Sequence, residues 1–161
     1  MDKRFGSVLG GDSVTFTGTG FPTTGDASVK IDNRDCVVDS KTSTTITCTT
    51  SDKPFVPGNP TLEINFTDAG NVATKGLVFR YVSKWSDSQT WGGDLPPLEG
   101  EAINIPSGMN LLVDVDSTPK LSFVVVEGSL IFAPETDDNH QRTFDASYVM
   151  VRNGYFEAGT E

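Results

Sequence analysis

Asp114 and Asp116 are the first residues to test for chemistry. They stand two apart in a strand-like run, so both carboxylates would share a face. A glycoside hydrolase needs such a pair, one as acid and one as nucleophile or base. The spacing is common by chance, and solvent exposure or turn bonding is the expected use. The single histidine, His140, lies in the acidic run Pro134-Glu-Thr-Asp-Asp-Asn-His140-Gln, which reads as a solvated loop. Asp137-Asp138 in that run lacks the fixed oxygen-ligand spacing of an EF-hand calcium loop. No Gly-x-Ser-x-Gly elbow presents a nucleophile. Cys36 and Cys48 are the only cysteines, and without a histidine cluster they make no zinc site. Two readings stay open for them, a disulfide or a pair of reduced, buried thiols. These residues give no reason to expect an enzyme, a metal or a cofactor.

Two other groups have recognition chemistry. Asn65-Phe66-Thr67 is an N-glycosylation sequon with a permitted middle residue, whereas Asn59-Pro60-Thr61 is blocked by its proline. Trp85 and Trp91 bracket a short polar stretch that ends in Gly92-Gly93. An exposed pair could stack on sugars. The expected use is structural, as core plugs or a cap with each indole N–H bonded to backbone.

The elements that position these groups are strands. No long stretch keeps the apolar spacing of a helix, and short alternating runs recur instead, which predicts an all-β protein. The first half gives strand-like runs at Ser13–Thr17, Val29–Ile31, Cys36–Val38, Thr44–Thr49, Thr61–Phe66 and Leu77–Val82. Val14 and Phe16 share one face; Leu62, Ile64 and Phe66 do likewise, leaving Glu63 and Asn65 outside. Turn residues separate the runs, and six short strands in this length predict a small sandwich. The second half follows another rule. Ala102–Leu112, Phe123–Phe132 and Tyr148–Phe156 each read as strand, glycine, strand, with Gly108, Gly128 and Gly154 spaced 20 and 26 residues apart. That period predicts stacked coils of a β-solenoid, with three hairpins of a second sandwich as the alternative.

Charge narrows the partners. The formal net charge is −10. Residues 1–82 hold nine acids and eight bases, a net of −1; residues 83–161 hold thirteen acids and four bases, a net of −9. A field of that sign repels phosphate backbones, so nucleic acid is excluded, and anionic glycans and lipids are disfavoured. No run of about 18 apolar residues offers a membrane span, so no direct membrane contact is expected. The ends, Met1-Asp2-Lys3-Arg4-Phe5-Gly6 and Gly159-Thr160-Glu161, are expected to mark a piece of a longer chain.

Two family resemblances emerge from longer motifs. Gly10-Gly11-Asp-Ser-Val-Thr-Phe-Thr-Gly18-Thr-Gly20-Phe21, then Val29-Lys-Ile31, Cys36, Thr45-Ile46-Thr-Cys48 and Leu77-Val-Phe-Arg-Tyr81, resemble an IPT/TIG domain. Trp85, Trp91-Gly92-Gly93, Pro96-Pro97, Gly100, Ile105-Pro106-x-Gly108, Leu112-Val-Asp114, Pro119-x-Leu121 and Glu127-Gly128-x-Leu130-x-Phe132 resemble the opening of a G8 domain, whose end is expected to be missing. IPT domains also occur in Rel-type transcription factors, but the near-neutral first half lacks the basic surface that DNA binding requires. The resemblance implies an immunoglobulin-like sandwich over 1–82, a G8 module over 83–161 and a Cys36–Cys48 bridge across adjacent strands. The order IPT then G8 is similar to the fibrocystin-like family. It implies a non-catalytic structural and recognition segment in the ectodomain of a large extracellular receptor-like protein. Its partners would be other extracellular domains or proteins, with a glycan as a further ligand. The alternative is a segment of a glycan-binding or hyaluronan-depolymerising surface protein whose catalytic groups lie outside this chain. Only Ser83 and Lys84 separate Val82 from Trp85, which predicts a short junction with Trp85 or Trp91 more than half buried.

Overall fold

A computed structural model describes residues 1–53, 60–134 and 141–158. The chain is all-β and divides between Tyr81 and Val82 into two compact units.

The first unit holds β1 (Phe5–Ser7), β2 (Ser13–Thr17), β3 (Ala27–Ile31), β4 (Arg34–Lys41), β5 (Thr45–Thr50), β6 (Leu62–Phe66) and β7 (Gly70–Asn71). The next strand, β8 (Arg80–Lys84), begins in this unit. Six strands form one antiparallel sheet in the order β2-β5-β4-β3-β6-β7. The other layer is β1 beside the start of β8, where Arg80 N–H donates to Arg4 O at 2.9 Å. Alternation decides what lies between the layers. Val14 and Phe16 of β2, Val29 and Ile31 of β3, and Ile64 and Phe66 of β6 are all buried against Phe79 and Tyr81. The β3–β4 turn is Asp32-Asn33, both at positive φ (52° and 61°), a two-residue loop whose twist matches a hairpin.

Of the six expected strands only Ser13–Thr17 keeps its limits to the residue; three others differ by one or two residues, and two differ by more. The strand expected at Cys36–Val38 runs from Arg34 to Lys41, because a register shift between Val38 and Ser40 breaks its alternation midway. The strand expected at Leu77–Val82 begins at Arg80 instead. Lys75 and Gly76, at positive φ, turn the chain there, and Leu77 N–H closes that turn onto Thr74 O.

The second unit winds differently. Its strands are β9 (Ala102–Ile105), β10 (Asn110–Val113), β11 (Phe123–Val126), β12 (Ser129–Phe132), β13 (Val149–Val151) and β14 (Tyr155–Glu157). Odd and even strands go to separate sheets: β9-β11-β13 in one, and β10-β12-β14 in the other, where Ser83 and Lys84 also pair with β10. Every one of these pairings is parallel, which consecutive hairpins cannot give. Ile103 aligns with Val124 and then Val149; Leu111 aligns with Leu130 and then Phe156.

Glycine permits the turns to stack. Gly108 takes a positive φ of 89°. Gly128 and Gly154 are needed for a different reason, close approach. A Cβ on Gly128 would strike the carbonyl oxygens of Pro106 and Met109, and one on Gly154 would strike those of Val126 and Gly128. Each turn therefore rests on the backbone of the one before. Gly128 N–H donates to Ile105 O at 2.9 Å, and Tyr155 N–H to Gly128 O at 2.7 Å.

Candidate functional site: the tryptophan corner and its groove

The segment leaving β8 is fixed by its polar groups. Trp85 N–H donates to Leu112 O at 2.8 Å. Ser86 donates from its backbone N–H and its hydroxyl to the two oxygens of Asp114, at 3.0 and 2.6 Å. Asp87 then caps a single 3-10 turn, Ser88–Trp91, by accepting from Gln89 N–H. Gly92 ends the turn at φ 73°. The turn swings Trp91 back, so that its Nε1–H donates to Trp85 O at 2.8 Å.

Trp85 is 2% exposed and packs with Ile103, Ile105, Leu111 and Leu130 in the core of the second unit. Trp91 is half-buried and meets it edge to face at 5.2 Å. The contacts continue from Trp85 to Phe144, from Phe144 to Phe132 and from Phe132 to Phe156, with ring centroids 5.6–6.3 Å apart. Phe144 lies outside every strand, so no periodic signal marks it. Arg142, also unmarked in the sequence, donates to the carbonyls of Val115 at 2.9 Å and Ala133 at 3.2 Å and so ties the segments after β10 and β12 to its own.

Beyond Trp91 the chain forms one wall of an open groove of about 800 Å³. Leu95, Pro97 and Leu98 line that wall, β9 contributes Ala102–Asn104, and Asp94 and Glu101 supply carboxylates. Glu101 accepts from Leu98 N–H at 2.8 Å, which braces the loop.

The remaining candidates fall elsewhere. Cys36 on β4 and Cys48 on β5 are joined in a disulfide with Cα atoms 5.4 Å apart. Cys48 lies opposite Val38, so the bridge runs diagonally between neighbouring strands of one sheet. Asn65 on β6 is partly exposed and its amide donates to Asn71 Oδ1 at 2.7 Å. Asp114 and Asp116 follow β10 rather than lying on a strand. Asp114 is bound to Ser86, and the exposed Asp116 faces Arg142 at 4.0 Å, so the two do not form a catalytic pair. Tyr81 is fully buried, which pushes its phenol up to about 12, with Asp32 adding to the effect. His140 and Asp137-Asp138 lie outside the described residues. Among the described residues no three His, Cys, Asp or Glu side chains cluster as a metal site, and no helix is long and apolar enough to cross a membrane.

A disulfide-bridged antiparallel sandwich followed by parallel, glycine-spaced strands is a tandem of two known modules. Residues 4–81 match the IPT/TIG domain and residues 90–161 match the G8 domain. Over its whole length the chain is similar to Fibrocystin-L, at 31% identity to the protein of Mus musculus and 30% to that of Homo sapiens. It spans 4% of the length of each. Among solved structures, the full extracellular region of plexin A4 aligns with 49% of this chain and 8% of its own, at 25% identity and a TM-score of 0.44.

Proposed function

We propose that the chain is a non-catalytic structural and recognition segment of a large extracellular receptor-like protein, with an IPT/TIG domain over 1–82 and a G8 domain over 83–161. The IPT/TIG-then-G8 order, with similarity to Fibrocystin-L along the whole chain, carries this reading. The Cys36–Cys48 bridge supports it, because disulfides persist in oxidising compartments. Asn65 is then a glycan attachment site on the sheet surface. In this reading Trp85 and Trp91 brace the corner of the G8 domain, and other extracellular proteins are the partners.

The second unit acts as the opening of a parallel β-solenoid. Its outer strand β13 supports this: Val149, Met150 and Val151 are 39–48% exposed, an apolar sheet edge of the kind another coil covers.

The test is to secrete the chain from eukaryotic cells, titrate free thiols, and incubate it with hyaluronan. The expected result is no free thiol, no shortening of the polymer and no micromolar binding at physiological salt. Depolymerisation, or micromolar binding, would overturn the reading in favour of a glycan-active protein.

A further inference from the structure

The floor of the groove beside Trp91 is a sheet edge. β9 is the outer strand of its sheet. In a parallel ladder, alternate residues bond to opposite sides. Glu101 O accepts from Ser122 N–H, and Ile105 O accepts from Glu127 and Gly128 N–H, so the odd-numbered residues turn toward β11. Ala102 and Asn104 therefore direct their N–H and C=O away from the sheet, along the groove. Edge strands are usually blunted by Lys, Pro or a bulge. β9, Ala-Ile-Asn-Ile, has none of these.

The wall facing this edge is apolar. Leu95 and Leu98 are 78% and 61% exposed, beside the half-buried ring of Trp91. Hydrogen bonds hold this wall in place before anything binds: Gly100 N–H donates to Lys120 O at 2.8 Å, and Leu98 N–H to Glu101. The charge is one-sided. Asp94 and Glu101 line the groove and no Lys or Arg does, within a half of the chain that is net −9.

We propose that this groove captures an extended, basic segment of a partner protein as an added strand on β9. Backbone hydrogen bonds to Ala102 and Asn104 set its register. An apolar side chain of the segment packs against Leu95, Leu98 and the Trp91 ring, and a Lys or Arg lies by Asp94 and Glu101. A second copy of this chain fits poorly, because it would bring two acidic surfaces together. A saccharide also fits poorly, since it offers no alternating N–H and C=O ladder and meets a mainly aliphatic wall. The proposal rests on the recognition role above. Failure of peptide binding would leave the hyaluronan result, which tests that role, unchanged.

The experiment screens the oxidised chain against a displayed library of random linear peptides and measures affinities of synthetic copies of the hits. The expected hits alternate apolar residues with Lys or Arg. Affinity should fall on the order of tenfold or more with Leu95→Asp, with Leu98→Asp, and with N-methylation of alternate peptide amides. Asp94→Asn should weaken basic peptides and reduce their salt dependence. The leucine positions are exposed, and unchanged circular dichroism of the variants verifies folding. The absence of hits, or hits indifferent to N-methylation and to both leucine changes, would overturn the proposal. So would Trp91-dependent binding to a neutral oligosaccharide array without peptide binding, or concentration-dependent dimerisation abolished by Leu98→Asp.

Discussion

The two units solve one problem, closing a β core, by opposite routes. In the first, half of the pairings join strands next to each other in sequence: β3 pairs with β4 across Asp32-Asn33, β4 with β5 and β6 with β7, while β2 with β5, β3 with β6 and β1 with β8 are distant. One face is buried and one is wet, so β2 reads Ser-Val-Thr-Phe-Thr with only Val14 and Phe16 inside. In the second unit, each strand's partner lies a whole coil away, and Leu111, Leu112 and Val113 are buried in succession. Parallel strands covered on both faces have that continuous pattern, whereas β9 and β11 still alternate. The first unit adds a covalent tie between β4 and β5, whereas the second relies on glycine turns resting on carbonyls and on the aromatic contacts around Trp85. The lesson is that the antiparallel unit mixes near and distant strand pairs and adds a cross-link, while the parallel unit depends on repeated backbone approach.

The largest expected effect is at the tryptophan corner. Trp85→Ala should cost about 3–5 kcal/mol in urea denaturation, the range for removing a buried aromatic from a core. A cost within about 0.5 kcal/mol, the level of an ordinary surface change, would make Trp85 dispensable to the coil. Next is the glycine ladder. Gly128→Ala should cost about 1–3 kcal/mol, because the new methyl meets backbone carbonyls that cannot rotate away. An unchanged urea midpoint would show that the coils have room to spare.

A smaller effect separates the units by pH. The buried phenol of Tyr81 ionises near 10 in the unfolded chain and at about 12 in the folded one. Its contribution is therefore complete below pH 10 and lost as pH rises from 10 towards 12. Thermal melts of the wild type should drop more steeply through that window than those of Tyr81→Phe. Parallel alkaline limbs would contradict the burial argument. The smallest effect belongs to Asn65→Gln. It should abolish a glycan-dependent mobility shift in secreted protein while changing stability by less than about 0.5 kcal/mol. Retention of the shift would place the glycan elsewhere.

Much of the architecture was legible because two periodicities are written plainly. Alternation at Val14 and Phe16 marks β2 to the residue, and the glycine-centred segments mark β9 through β14. Alternation fails where backbone irregularity intervenes. The register shift after Val38 hides half of β4, and the Lys75-Gly76 turn keeps the apolar Leu77 out of β8. Contacts across coils are illegible in principle. Phe144 and Arg142 sit in irregular chain and matter only because the winding brings Trp85, Val115 and Ala133 to them. The Asp114–Asp116 pair illustrates the converse. Its spacing invites a catalytic reading, but β10 ends at Val113 and Asp114 serves Ser86. The groove follows the same rule: Trp91, Pro97 and the acids are visible in sequence, while the open edge of β9 is a property of sheet order alone.

If the two units are held by different interactions, hydrogen exchange with and without reductant must separate them. Opening the Cys36–Cys48 loop should lower the first unit's stability by about 3 kcal/mol. Amides of β2, β4 and β5 should then exchange on the order of a hundredfold faster. Amides of β11 and β12 should be unchanged, including Val124, which donates to Tyr148 O, and Ser129, which donates to Met109 O. Equal acceleration in both units, or none in either, would contradict the account.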